Sequence, residues 1–223
     1  MDSTSQVILI LKLALNIAPP ALYFVILGLV NSQSKPHLIS SRNDWLALVC
    51  VFFPVVIYPS IVLASWGYYL LSVTIIGIIA IGLMISSPKE GVGWVIYNTS
   101  KAVVRNWIVK GFDKYDIEYQ FKNSKSVIRL PKEKIFVKLS GFSLLRNVTV
   151  SLGSDDKNSN INSEISDIIE KELKINVMNV ESGVNIIGPA MLVAGTSMLI
   201  LPLMMMIRHI DAFVRLVSDL LPV

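Results

Sequence analysis

The hydrophobic pattern of the chain is dominated by one run, from Trp45 to Pro88, that contains no charged residue. Soluble domains of this size rarely hold 44 uncharged, mostly apolar positions in succession, so the run indicates membrane hydrocarbon. As a single helix it would measure roughly 66 Å, about twice the thickness of the hydrocarbon layer. The run is therefore predicted to cross the membrane twice.

The turn between these two crossings is predicted between positions 64 and 69. Gly67 gives the backbone freedom to turn there, and the neighbouring aromatic rings favour the headgroup level of a bilayer. The resulting spans are 45–64 and 69–85. A turn nearer Pro59 is the alternative, and it would leave a short re-entrant leg in place of one span.

Two more apolar segments, 7–30 and 186–207, are each long enough to cross a hydrocarbon layer of about 30 Å. Pro19 and Pro20 predict a kink or an interruption in the middle of the first segment. Small residues around Gly195 favour packing of the later segment against another helix rather than against lipid. The pattern therefore predicts four spans.

Residues 89–112 combine apolar positions at helical spacing with interleaved basic side chains. This pattern predicts an amphipathic helix on the membrane surface, where tryptophan favours the interface and basic side chains meet anionic headgroups. A connector helix packed against a soluble domain is the alternative. The candidate lipid contacts are Trp94, Lys101, Arg105, Trp107 and Lys110.

Residues 113–183 have the composition of a small water-soluble domain. Strict alternation of apolar and polar residues predicts a strand over 115–121, and a turn at 123–125 leads to a second strand at 126–130. The remaining predicted elements are strands at 135–139, 148–152 and 175–180 and a helix around 165–173. The segment is therefore predicted to be a small α+β domain.

The fold class that follows is an integral membrane α-helical protein with four transmembrane helices and a small cytoplasmic α+β domain inserted between the third and fourth spans. Residues 1–88 form a membrane domain with three spans. Residues 184–223 hold the fourth span and an amphipathic C-terminal tail, in which the apolar residues from Ile210 to Leu221 share one side. The tail helix is predicted to lie at the membrane or to dock on a neighbouring chain.

Composition agrees with the membrane class. The chain has 53% hydrophobic residues, 16% charged residues and a mean hydropathy of +0.61. In such a protein, a net charge of +4 is typical of orientation and lipid contact rather than of nucleic-acid binding. The one cysteine, Cys50, excludes an intramolecular disulfide and a cysteine cluster, so we expect no metal and no cofactor.

The positions of positive charges predict the orientation. Lys35, Arg42 and Lys89 lie next to span ends on one side, whereas the leader before the first span has neither lysine nor arginine. Cytoplasmic loops are enriched in these residues. The loop at 31–44 and the domain at 113–183 are therefore predicted to be cytoplasmic in a cytoplasmic or inner membrane, with both termini on the opposite side.

The sequence contains no phosphate-binding glycine loop, zinc-protease motif or serine-hydrolase elbow, so no catalytic residue is assigned. Its most unusual group is Lys12, a charge inside the first span, which must snorkel to the surface or find a partner. Asp211 follows the fourth span on the same predicted side, and Asn16 lies one turn deeper than Lys12. These three residues are the candidate contacts between helices, and snorkelling of Lys12 alone is the alternative.

The predicted function is that of a non-enzymatic multi-pass membrane subunit. It would assemble with other membrane chains or with copies of itself, and its α+β domain would dock or scaffold partners; membrane lipids are expected partners and nucleic acid is not. A small oligomeric channel or transporter is the first alternative, and a lipid-acting membrane enzyme is the second. The candidate pore-lining residues are Asn16, Ser72, Thr74, Thr196 and Ser197.

Overall fold

A computed structural model describes residues 3–89, 92–122, 126–141, 146–154, 163–180 and 186–220. In chain order the elements are α1 (Ser3–Asn31), β1 (His37–Ser40), α2 (Ser41–Ser65), α3 (Tyr69–Ser86), β2 (Gly93–Tyr97), α4 (Lys101–Lys114), β3 (Gln120–Lys122), β4 (Val127–Leu130), β5 (Ile135–Ser140), β6 (Asn147–Ser154), α5 (Ser163–Asn179), α6 (Ile187–Arg208) and α7 (Ile210–Leu220). The chain divides into two compact units. The helical unit comprises Met1–Gly28, Leu48–Ile85 and Ala190–Val223, and the sheet unit comprises Leu29–Ala47 and Ser86–Pro189.

Four helices are long and apolar enough to cross a membrane, namely α1 from Val7 to Asn31, and α2, α3 and α6 over their full lengths. Each agrees with its predicted span to within four residues at either end. The prediction of four span helices is therefore confirmed by length and composition. The helix α1 continues through Pro19 and Pro20, so these prolines do not interrupt the first span.

The turn that joins α2 to α3 lies at Trp66 to Tyr68, where the sequence predicts it, and α2 runs through Pro59 without ending there. Gly67 has a φ of +87°, a conformation that side chains rarely adopt, which is why a glycine occupies the turn. Ser72 is buried, and its hydroxyl donates to the carbonyl oxygen of Ser60 at 2.7 Å. This bond holds the two helices together as a hairpin.

The helices α1 and α6 approach each other closely at Gly195. A Cβ atom at this position would lie 2.7 Å from the carbonyl oxygen of Ala21 and 2.8 Å from the backbone nitrogen of Val25. Only glycine fits without moving the backbone of α1. The sequence prediction that small residues on the fourth span favour helix packing is thus met by a contact within the chain.

The sheet unit is built on six antiparallel strands in the order β1-β2-β6-β5-β4-β3. Alternate residues of β4, β5 and β6 are buried, which leaves the other face of these strands more polar. The helices α4 and α5 supply the rest of the core through residues such as Phe112, Ile169 and Leu173. The expected antiparallel α+β unit between the third and fourth spans is therefore present.

One strand of this sheet comes from the segment at 31–44, which the sequence analysis treats as a loop. Strand β1 pairs with β2 from His37, opposite Tyr97, to Ser40, opposite Trp94. The hydroxyl of Ser40 then accepts a hydrogen bond from the backbone N–H of Asn43 at 3.2 Å and caps the start of α2. This segment therefore belongs to the same sheet as the strands that lie between the third and fourth spans.

The structure corrects the prediction of one amphipathic helix over 89–112. Residues 93–97 form strand β2, and a helix begins only at Lys101, after the N-cap Ser100. All five residues of β2 are buried, so the strand lacks the alternation of apolar and polar positions that distinguishes a half-exposed strand. Periodicity alone therefore does not distinguish this apolar run from part of a helix.

Two further strand predictions are wrong. The strand predicted over 115–121 is only Gln120–Lys122, because α4 extends to Lys114 and Asp116 turns the backbone with a φ of +53°. The strand predicted over 175–180 is instead the last part of α5, where the Asn176 side chain donates to the carbonyl oxygen of Glu172 at 2.7 Å. The predicted turn at 123–125 lies outside the described residues.

Candidate functional site

Lys12 and Asn16 lie one helical turn apart on α1. The Asn16 side-chain amide donates to the carbonyl oxygen of Lys12 at 2.8 Å, so it is bonded within its own helix. The start of α1 and the end of α6 lie next to each other around a small cavity. Its lining residues are Val7, Ile10, Leu11, Met206 and His209. The side chains of Lys12 and Asp211 are both exposed, and over the described part of the chain no ion pair joins them, so their pairing stays a prediction.

The five predicted lipid contacts divide into two groups. Trp94 is 3% exposed and Trp107 is 5% exposed, and both belong to the core of the sheet unit. They are therefore not available to lipid, because both rings are buried among the apolar side chains of that core. Lys101 and Lys110 are exposed on α4 and Arg105 is half-buried there, so the basic residues remain candidates for an anionic partner.

A group of hydrogen bonds fixes the end of β2 against the segments that leave the spans. The Asn98 side-chain amide donates to the carbonyl oxygen of Gln33 at 2.6 Å, and the Tyr97 hydroxyl donates to the carboxylate of Asp44. The ring of His37 is hydrogen-bonded to the side chain of Gln33. Since Asn98 is fully buried, this group is a structural junction that orients β1 and β2.

The surface of α3 contains two glycines that the chain does not use for packing. Around a Cβ atom built at Gly77 or at Gly82, no described residue places an atom within 4 Å apart from the helix's own backbone and the chain neighbours, in contrast to the tight surroundings of Gly195. Only 6% of the α3 span is buried, as is 6% of the α2 span, against 22% for α1 and 17% for α6. Of the four spans, α2 and α3 are thus the least buried within the chain.

Four of the five polar residues proposed to line a pore already donate a hydrogen bond to a backbone carbonyl of the chain. Thr74 donates to the carbonyl oxygen of Leu70 at 2.8 Å, and Thr196 donates to that of Leu192 at 2.7 Å, each within its own helix. Ser72 is buried between α2 and α3 rather than exposed. Ser197 is exposed on α6. The channel alternative stays a prediction.

The charges of the sheet unit include one ion pair between its helices. Lys114 Nζ of α4 lies 2.8 Å from Glu172 Oε1 of α5, and the hydrogen bond and charge of Glu172 raise the pKa of Lys114. Gly111 permits this approach, since a Cβ there would lie 2.8 Å from Cγ of Glu172. Burial, followed by a hydrogen bond with Asp113, raises the pKa of Tyr119. The ion pair therefore joins α4 to α5 in the sheet unit.

Over the ranges that the structure describes, no group of three or more His, Cys, Asp or Glu side chains is placed to hold a metal ion. The chain was also compared with models of protein families, with characterised proteins and with solved structures. None of the three comparisons finds a match. Functional assignment therefore depends on the chemistry and packing of this chain alone.

Sequence reasoning missed one constellation in the sheet unit. Thr99, Ser100 and Lys101 meet Arg146 and Asn147 around a common cavity. The two groups are more than forty positions apart, and a backbone hydrogen bond from Thr99 to Arg146 joins them at 3.1 Å. No local pattern signals this meeting, because it depends on how β2 pairs with β6.

Proposed function

We propose that this chain is a non-enzymatic multi-pass membrane subunit that assembles with another membrane chain, either a copy of itself or a different protein. The observation that carries the proposal is the open surface of α3 at each of its two glycines. Among the described residues outside their own helix backbone and chain neighbours, Gly77 and Gly82 have no atom within 4 Å of a Cβ position, although the span around them is long and apolar. A spacing of five residues places the two glycines on different sides of the helix, so a partner helix fits at either glycine.

The physical argument concerns what glycine does in a helix. An internal glycine is less favourable than alanine by roughly 0.5–1 kcal/mol, because it loses more conformational freedom on folding. In a membrane, small residues offset this by letting two helix backbones approach closely. Gly195 has that role inside this chain, where it contacts Ala21 and Val25. Among the described residues, the α3 glycines have no such contact. A helix position that faces only lipid could hold a larger side chain equally well.

The sheet unit supplies the second half of the proposed function. It would lie in the cytoplasm, as the basic residues beside the span ends predict, and would dock or scaffold partners there. Along the chain, β1 lies between α1 and α2, with residues 32–36 before it and α2 directly after it. A partner bound to the sheet unit would thereby be tethered through the chain to the spans.

The experiment is purification in a mild detergent, with measurement of the mass of the particle and identification of every chain that co-purifies. A stable complex with a different membrane chain, or an oligomer of this chain that does not conduct ions, is the expected result. A homo-oligomer that conducts ions in a bilayer would support the channel alternative instead. A chain that remains alone at its own mass of 24.7 kDa would contradict the proposal.

A further inference from the structure

The sheet unit contains a cavity of about 380 Å³ beside the start of α4 and the adjoining ends of β5 and β6. This volume lies within the range of small-molecule pockets, roughly 300–1,000 Å³. The lining residues are Thr99, Ser100, Lys101, Gly141, Arg146, Asn147 and Val148. Two of them are basic, three carry a hydroxyl or amide group, and none is acidic.

The two basic residues reach the cavity from separate elements. Lys101 is the first residue of α4, and Arg146 immediately precedes β6. Within the part of the chain that the structure describes, neither takes part in an ion pair. Two cations that line one cavity give it a positive charge that a bound anion would neutralise.

The backbone holds these two positions in place. Thr99 N–H donates to the carbonyl oxygen of Arg146 at 3.1 Å, which fixes the segment before α4 against the segment before β6. Gly141 lies so close to Asn147 that a Cβ atom there would be 2.3 Å from the Asn147 carbonyl oxygen. The cavity is therefore formed by an ordered backbone rather than by side chains alone.

Hydrogen-bond donors complete the lining. The Ser100 oxygen accepts from the backbone N–H of Val103 at 3.4 Å, so the hydroxyl proton of Ser100 is left to donate elsewhere. Thr99 adds a hydroxyl, and Asn147 adds an amide. A guanidinium, an ammonium and neutral donors form the set of groups that binds phosphate oxygens, with Arg able to bind two oxygens at once.

We propose that this cavity binds a phosphate group carried by an anionic ligand, whose remaining atoms lie along Gly141 and Val148. The phosphate belongs either to a lipid headgroup or to a soluble phosphate compound. Asn98, which precedes Thr99, is hydrogen-bonded to Gln33, two residues after the end of α1. A cavity so close to the end of a span is within reach of lipid headgroups.

The test uses the full chain, purified and freed of lipid, with two probes. Native mass spectrometry measures retention of phosphatidylglycerol, and a thermal-shift titration measures binding of inorganic phosphate. The test variant combines Lys101→Gln with Arg146→Asn, because asparagine tolerates the φ of +46° at position 146. Lys138→Gln, an exposed change on β5 outside the cavity, is the matched control. Near-ultraviolet circular dichroism of the buried tryptophans reports whether each variant is folded.

The wild type is expected to bind at least one probe, and the double variant is expected to bind it at least tenfold more weakly, while Lys138→Gln is unchanged. Binding of phosphatidylglycerol alone assigns the site to a lipid headgroup, and binding of inorganic phosphate assigns it to a soluble compound. If the double variant does not fold, Lys101→Gln alone carries the test with an expected loss of about tenfold. Failure of the wild type to bind either probe, or equal binding by the wild type and the folded variant, would overturn the proposal.

Discussion

Asn98 donates its side-chain amide to the carbonyl oxygen of Gln33 at 2.6 Å, although 65 positions separate the two residues. The bond joins the end of β2 to the segment that follows α1. Asn98 has a φ of +57°, in the left-handed region that asparagine and glycine adopt more readily than other residues. Both the side chain and the backbone of this residue therefore contribute to the junction.

Two substitutions separate these contributions. Asn98→Gly removes the hydrogen bond but keeps the backbone conformation accessible, whereas Asn98→Ala removes the bond and adds left-handed strain. We expect both to lower stability, with alanine worse than glycine by about 1 kcal/mol. Thermal unfolding followed by tryptophan fluorescence measures the difference. Equal stability of the two variants would show that the backbone conformation at Asn98 is not strained for alanine.

The hydrogen bond from Ser72 to Ser60 predicts a specific weakness of the α2–α3 hairpin. Ser72→Ala should destabilise the helical unit by roughly 0.5–1 kcal/mol, the usual range for a hydrogen bond between membrane helices. Thr74→Ala is the matched control, because Thr74 bonds only to Leu70 of its own helix. Unfolding in mixed micelles by increasing sodium dodecyl sulfate measures both. An effect of Thr74→Ala as large as that of Ser72→Ala would argue against a bond between the helices.

The ion pair between Lys114 and Glu172 predicts a pH dependence. A lysine whose pKa is raised in the folded chain stabilises the fold below the ordinary lysine pKa of 10.5, and this contribution is lost as the pH rises through the raised value. The wild type should therefore have a higher melting temperature than Lys114→Met near neutral pH. In alkaline solution the two melting temperatures should become equal. The difference should be small and should shrink in high salt, since Lys114 is 57% exposed. A difference that does not change between neutral pH and pH values above 10.5 would contradict the assignment.

The predicted orientation can be tested with introduced cysteines in a chain where Cys50 is replaced by alanine. Arg215→Cys on α7 should react with a membrane-impermeant maleimide in intact cells, because the C-terminus is predicted to lie outside the cytoplasm. Lys138→Cys on β5 should react only after the membrane is permeabilised. The opposite pattern would reverse the orientation while leaving the pairing of β1 with β2 intact.

How much the sequence predicts differs between the two units for a physical reason. In hydrocarbon a backbone must satisfy its hydrogen bonds internally, so the length of an uncharged run and one flexible residue, Gly67, are enough to place α2 and α3. In the sheet unit the decisive interactions are distant. Strand β1 has four half-buried residues and no strong pattern of its own, and it forms because β2 lies beside it.

Burial on both sides explains the misplaced lipid contacts. Trp94 and Trp107 have the composition expected at a membrane interface, but β2 lies between β1 and β6 and both rings are in the core. The cavity cannot be predicted from the sequence for a similar reason, because nothing in the local sequence relates Lys101 to Arg146. Lys101 could be predicted from the sequence as a residue that contacts an anion, whereas Arg146 could not.

Assembly through α3 is tested most directly by the mass of the complex extracted together with its native lipids. The comparison is between the wild type, Gly77→Leu, Gly82→Leu and the control Ile78→Leu, which changes an exposed residue of the same helix without filling a glycine surface. After the mass of bound lipid is subtracted, the wild type and Ile78→Leu are predicted to exceed the 24.7 kDa of a single chain, and at least one glycine variant is predicted to shift toward that mass. A wild type that is already a single chain, or glycine variants that assemble like the wild type, would contradict the account.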